Sequence, residues 1–252
     1  MQENPIKLGR PNSVPRICSR KFSKKSVLAF AFTLIAIPAT LWITWKLADR
    51  RYYMTSMLIL IYTMVPFAVA FEHRKPQARE LVVLAVMCAL AIAARTLFIW
   101  LPNFKPMAAI ILLTGVAFGP EAGFLCGAIA ALGSNLIFGQ GPWTPWQMTA
   151  FGVAGFLAGL VFQKGLLRPN RLPLCIFGGI VTLFVIGPIL DTSTLFIMFS
   201  VPNLKSALAV YTAGFPVNLM QTIATVLTLF LISRSLLEKL DRIKTKYGLM
   251  EG

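Results

Sequence analysis

Two ionisable side chains, Arg95 and Asp191, lie inside long apolar runs of this chain. An isolated charge at the centre of a bilayer costs upward of about 2.5 kcal/mol, so each needs a partner or a task. They could approach each other near one membrane face, or each could hold a ligand. A purely structural pair, or Arg95 snorkelling to the headgroups, would satisfy the same pattern. Neutral amides recur toward the same face: Asn103, Asn135, Gln140, Gln147, Asn218 and Gln221. So do the aromatics Phe98, Trp100, Phe104, Trp143, Trp146 and Tyr211. Amides donate and accept hydrogen bonds without net charge, which suits a ligand rich in amides or carbonyls. Any one of the aromatics could equally be an interfacial anchor. The candidate ligand set is Trp143, Trp146, Gln147, Gln140, Asn135, Arg95, Asp191, Asn218, Tyr211 and Lys105.

The chemistry this chain does not advertise is as informative. It has no GxxxxGK[ST] phosphate loop, no HExxH and no GxSxG. Its one histidine, His73, sits in a charged loop, and Cys18, Cys88, Cys126 and Cys175 are scattered without metal spacing. No catalytic residue, metal site or cofactor is expected.

The elements that must position the candidate residues follow from hydropathy. The 252 residues have a mean hydropathy of +0.73, with 57% hydrophobic and 13% charged residues. The apolar residues fall in long blocks between short polar ones, the pattern of an all-α, polytopic membrane protein. Residues 1–25 read as a basic cytoplasmic tail and 26–71 as a transmembrane hairpin. Residues 72–80 are a charged cytoplasmic linker, 81–233 a six-helix membrane core, and 234–252 an amphipathic tail lying along the membrane face. That makes about eight helices. Within the core the apolar runs are Leu81–Leu101, Pro106–Phe118, Ala122–Phe138, Met148–Phe162, Leu172–Phe199 and Ala207–Ile232. Gly187-Pro188 predicts a kink or break inside the fifth of these.

Between two runs lies Gly139–Gln147, with two glycines, two prolines, two tryptophans and two glutamines. Gly and Pro predict a loop, and the tryptophans suit a membrane–water boundary. Pro142 and Pro145 should stiffen it into a cap over a binding site.

Charge sets the orientation. With eight spans and the N-terminus inside, 18 of the 24 Lys and Arg fall on inner segments. Five (Lys46, Arg50, Arg51, Lys105, Lys205) fall outside, and Arg95 lies within a span. Both termini are therefore expected in the cytoplasm and Gly139–Gln147 outside. Ala85, Ala89 and Ala93 recur at every fourth position and form a small-residue stripe. Such a stripe lets another helix approach closely, from within the chain or from a partner.

Phe118-Gly-Pro-Glu-Ala-Gly-Phe124 and Phe138-Gly-Gln-Gly-Pro-Trp-Thr-Pro-Trp-Gln-Met148 resemble the substrate-binding S components of energy-coupling factor (ECF) vitamin transporters, and within them the cobalamin (corrinoid) group. The resemblance extends over about Lys75–Leu249, including Gly187–Asp191 and the closing Ile243–Gly248. The hairpin is additional to the six-helix core usual for such proteins. The resemblance implies a vitamin bound from outside, under extracellular loops, in a bacterial cell membrane. It implies docking through Ala85, Ala89 and Ala93 on a transmembrane scaffold (T component) driven by two ATPase subunits, then toppling and inward release. Gly139–Gln147 would be a lid or specificity loop. Asn218 and Gln221 stand where many relatives carry acidic and histidine residues, which leaves the substrate open between cobalamin and a different vitamin or nucleobase-like molecule. A stand-alone secondary transporter would show inverted repeats and a relay of ionisable groups, and the sequence has neither.

Overall fold

The computed structural model describes residues 78–199 and 202–247, together with Tyr62. The expected basic tail, the hairpin 26–71 apart from Tyr62, most of the 72–80 linker and the last five residues lie outside the described residues. The described chain is helical throughout: α1 (Ala78–Leu97), α2 (Met107–Phe118), α3 (Pro120–Phe138), α4 (Thr144–Gln163), α5 (Arg171–Val181), a π turn (Thr182–Ile186), α6 (Gly187–Met198) and α7 (Leu204–Tyr247). Five segments (α1, α3, α4, α5–α6 and α7) are long and apolar enough to cross a bilayer. The protein is an all-α polytopic membrane protein.

The centre of the bundle is α2. Its residues Met107–Gly115 are all buried, so it is apolar all round and enclosed by its neighbours. Its 12 residues reach about 18 Å, short of the ~30 Å hydrocarbon core. The sequence count of eight spans treated this run as a full crossing, which a helix of this length does not make by itself. At its C-terminal end the chain turns through one residue, Gly119, with φ +104° and ψ 173°. That region is closed to residues with a Cβ. Only this residue separates α2 from α3, so the Gly119–Glu121 break read from the sequence shrinks to Gly119, and Pro120 opens α3.

Three further boundaries differ from the sequence reading. Helix α4 begins at Thr144 rather than Met148, because Pro145 falls in its first turn, where a missing N–H is no loss. The loop is therefore only Gly139–Trp143. The expected break in the long run is a π turn at Thr182–Ile186, just ahead of Gly187-Pro188. Pro188 cannot donate to the preceding turn, and the wider turn absorbs that mismatch without ending the helix. Finally, α7 runs unbroken over 44 residues, so residues 234–247 continue the same helix as the last span. No Gly or Pro interrupts the chain between Pro216 and Tyr247. Leu240 joins the buried core with Leu236 and Leu237 packed against it, and Arg234 bonds Glu238 one turn on at 2.9 Å.

Candidate functional site

The C-terminal ends of α1 and α3 and the N-terminal end of α4 are tied by one hydrogen-bonded network. Arg95 (α1) donates through Nη1 to Ser134 Oγ at 2.5 Å and Asn135 Oδ1 at 3.0 Å, both on α3. Asn135 Nδ2 donates on to Thr144 Oγ1 at 3.1 Å and Gln147 Oε1 at 2.9 Å, in the first turn of α4. Thr144 Oγ1 donates to Gln140 Oε1 at 2.9 Å and accepts from Gly141 N at 3.3 Å. Gln140 Nε2 returns to Leu132 O at 3.1 Å. Asn135 and Ser134 are fully buried. Asn135 is thus the hub: its oxygen holds a cation, and its two N–H bonds fasten the start of α4. Arg95, Asn135, Gln140 and Gln147 of the expected ligand set come together here, joined by Ser134 and Thr144, which the sequence reading did not single out.

Phe138, the last residue of α3, lies under two cations. The Arg95 guanidinium carbon is 4.6 Å and Lys105 Nζ 5.1 Å from the ring centroid. Burial first, and the like charge of Arg95 second, pull the Lys105 ammonium below the ordinary lysine value.

A second polar group joins α6 to α7. Asn218 Nδ2 donates to Asp191 Oδ2 at 2.8 Å. The two residues are seated by glycines on the facing helix. A Cβ at Gly214 would sit 2.2 Å from Asp191 Oδ1, and one at Gly187 would sit 2.8 Å from Asn218 Cγ. Gly187 and Asp191 are thus one turn apart on α6, facing Asn218 and Gly214 one turn apart on α7. Nearby, Tyr211 Oη and Thr192 Oγ1 are 2.7 Å apart, with Thr192 also donating to Pro188 O. The Arg95–Asp191 ion pair considered from the sequence does not form. Each charge is buried against a neutral amide, and Arg95 turns inward to α3 and not out to the headgroups.

Trp146 stands between the two groups. It is only 8% exposed and stacks on Phe196 of α6 with centroids 5.9 Å apart and 23° between planes. Its indole Nε1 is buried and has no acceptor among the described residues, an arrangement native interiors rarely leave unused. Trp143 is more open and folds over Gly141. The two tryptophans are therefore unequal: one is buried between α4 and α6, and the other covers the loop.

The small-residue stripe is exposed. Ala85, Ala89 and Ala93 face away from the bundle, while Leu84, Met87, Cys88 and Ala91 on the same helix face inward. Among the described residues, packing within the chain does not account for the stripe. The small-residue seam that does pack internally is one the sequence reading missed, on α2, α3 and α4. Its signal was present as Gly123-x-x-x-Gly127 and Gly155-x-x-x-Gly159.

A family model described as "ECF-type riboflavin transporter, S component" matches residues 75–238. A UPF0397 protein from Vibrio atlanticus (strain LGP32) is 32% identical over 117 residues, covering 44% of this chain. The matched stretch spans 64% of that relative's length. No solved structure matches. The family match covers all of α1 to α6 and most of α7, which includes the whole Arg95–Asn135–Gln147 network, and the chain belongs to the ECF-type riboflavin transporter S-component family, a family of membrane transport components.

Proposed function

We propose that this chain is the substrate-binding component of an ATP-driven vitamin uptake transporter, with cobalamin or another corrinoid as substrate. Substrate enters from outside under the Gly139–Trp143 loop. The observation that carries this reading is Trp146: a buried aromatic face with an unpaired N–H, beside a network of neutral amides. A conjugated ring bearing carbonyl or amide arms would meet both. Cobalamin follows from the Trp-Pro loop Gly139–Gln147. Riboflavin is the second reading, favoured by the printed description of the matching family. Both substrates join a conjugated ring to carbonyl groups.

Calorimetric titration of the purified full-length chain with cyanocobalamin, riboflavin and biotin separates these readings. Tight binding of cyanocobalamin alone supports the first. Tight binding of riboflavin alone supports the second. Binding of none removes all three as substrates, reopens the choice to a different vitamin or nucleobase-like molecule, and favours a transporter that works without a partner. In the same assay, Trp146→Ala weakens binding by about 10- to 100-fold, as expected for a central aromatic anchor. Trp146→Phe keeps the ring but loses the N–H and falls between wild type and Trp146→Ala. Equal affinity of all three would exclude Trp146 from the site.

The exposed Ala85–Ala89–Ala93 face is the docking surface for the transmembrane scaffold, which two ATPase subunits drive, in a bacterial cell membrane with both chain termini cytoplasmic. Ala89→Trp is expected to abolish uptake in cells while leaving ligand affinity of the isolated chain unchanged. Normal uptake by the variant would remove the stripe from the docking face.

A further inference from the structure

Arg95 and Lys105 share the Phe138 ring, and among the described residues neither has a carboxylate within ion-pair distance. Arg95 spends Nη1 on two neutral oxygens, while Nε and Nη2 have no hydrogen-bond acceptor among the described residues. Arg95 is 7% exposed, and Lys105 is half-buried at the mouth of the same network. Two cations are thus gathered at one ring with no anion to neutralise them. An aromatic face attracts a cation but leaves its charge intact. Keeping two uncompensated cations together at a membrane protein's polar end is costly, and such an arrangement is stable in use when an anion completes it. Burial first, and the like charge of Arg95 second, depress the basicity of Lys105.

We propose that Arg95, Lys105 and Phe138 form a receptor for an anionic phosphate group, a mono- or diester, carried by the molecule that occupies the outer site. A planar guanidinium whose Nε–Nη2 edge is unspent suits two phosphate oxygens, and the ammonium of Lys105 takes a third. Asn135 orients the guanidinium through its oxygen and thereby links phosphate capture to the start of α4, where Gln147 and Trp146 lie. This assigns a chemical class to the ligand and rests on the outer-site reading given above. An outer-leaflet phospholipid offers the same phosphate chemistry, so the two sources must be separated by experiment.

The test uses the full-length chain in a maltoside detergent, which carries no phosphate. Calorimetry compares two matched pairs that differ in a phosphate ester: riboflavin 5′-phosphate against riboflavin, and cobinamide phosphate against cobinamide. Thermal unfolding is followed in parallel with inorganic phosphate, with pyrophosphate, and with added phosphatidylglycerol. In the wild type the phosphate-bearing member of the recognised pair should bind at least about tenfold tighter (about 1.4 kcal/mol). Lys105→Met should shrink that ratio below about twofold, and Lys105→Arg should restore most of it. Phosphate or pyrophosphate should raise the unfolding midpoint of the wild type and not of Lys105→Met. Stabilisation by phosphatidylglycerol alone, lost in Lys105→Met, with no discrimination within either pair, would overturn the assignment to the ligand and give the receptor to a lipid headgroup. Wild type and Lys105→Met indistinguishable in every arm would overturn the receptor, even if a vitamin binds. Failure of all vitamins with the phosphate effect intact would overturn the vitamin reading and leave the receptor standing.

Discussion

Gly155→Val should prevent this protein from accumulating as a folded monodisperse species, or lower its stability by at least about 3 kcal/mol. A Cβ at Gly155 would lie 2.2 Å from the Gly123 carbonyl oxygen and 3.0 Å from Ile111 Cγ2. The reverse contact is as tight, since a Cβ at Gly123 would lie 2.4 Å from the Gly155 carbonyl oxygen. The obstacle is backbone on the facing helix, so no side chain can rotate out of the way. Helices α3 and α4 would have to separate, and overpacking of this kind costs about 1–3 kcal/mol even where neighbours can adjust. Separation would also pull Gln147 from Asn135, so ligand binding should fail with the packing. Gly139→Ala is the control. Nothing lies within 4 Å of its added Cβ, and only the backbone, at φ +97° and ψ 133°, resists the change, at about 1–3 kcal/mol. Size-exclusion profiles and thermal unfolding of both variants in detergent decide the matter. If Gly155→Val unfolds within about 1 kcal/mol of Gly139→Ala, the seam does not hold the bundle together.

Much of the architecture could be read from residue order, and the exceptions have specific physical causes. The apolar runs, the placement of Arg95, Asn135, Gln140 and Gln147 at one end, and the interruption near Gly187-Pro188 all follow from composition and period. The start of α4 did not, because a proline reads as a breaker until its position within the turn is known; Pro145 sits where a helix tolerates it. The length of α7 did not, because charged residues after Ile232 mark the end of the hydrocarbon and say nothing about the end of the helix. The partners of the two buried charges did not either. Opposite charges in apolar runs suggest each other, yet three-dimensional placement gave Arg95 to α3 and Asp191 to α7, each meeting an amide. The glycine seam was overlooked because glycine in a helix reads as weakness, whereas between α3 and α4 the missing Cβ permits the contact.

Asn135→Leu should cost about 2–4 kcal/mol of stability, more than the loss of one hydrogen bond of about 1 kcal/mol would suggest. Three bonds end together, from Arg95 and to Thr144 and Gln147, and the Arg95 cation is left buried with Ser134 as its one hydrogen-bond acceptor among the described residues. Breaking a buried charge's contacts by removing one side is costly because the other charge stays behind. Arg95→Met removes that charge instead, so it should cost less by itself and should relieve part of the Asn135→Leu penalty. The double variant is then more stable than the sum of the single changes predicts, by at least about 1 kcal/mol, as expected for directly bonded partners. Asn135→Asp gives a different signature. The new carboxylate can pair with Arg95 but has no N–H for Thr144 or Gln147, so α4 loses its tether while the cation is satisfied. That variant should keep more stability than Asn135→Leu yet bind ligand at least about tenfold more weakly than wild type. Unfolding titrations of the four proteins of the cycle, with calorimetry on Asn135→Asp, separate these roles. Strict additivity in the cycle would mean that Asn135 does not hold Arg95. Wild-type affinity in Asn135→Asp would mean that its tether to α4 does not shape the site.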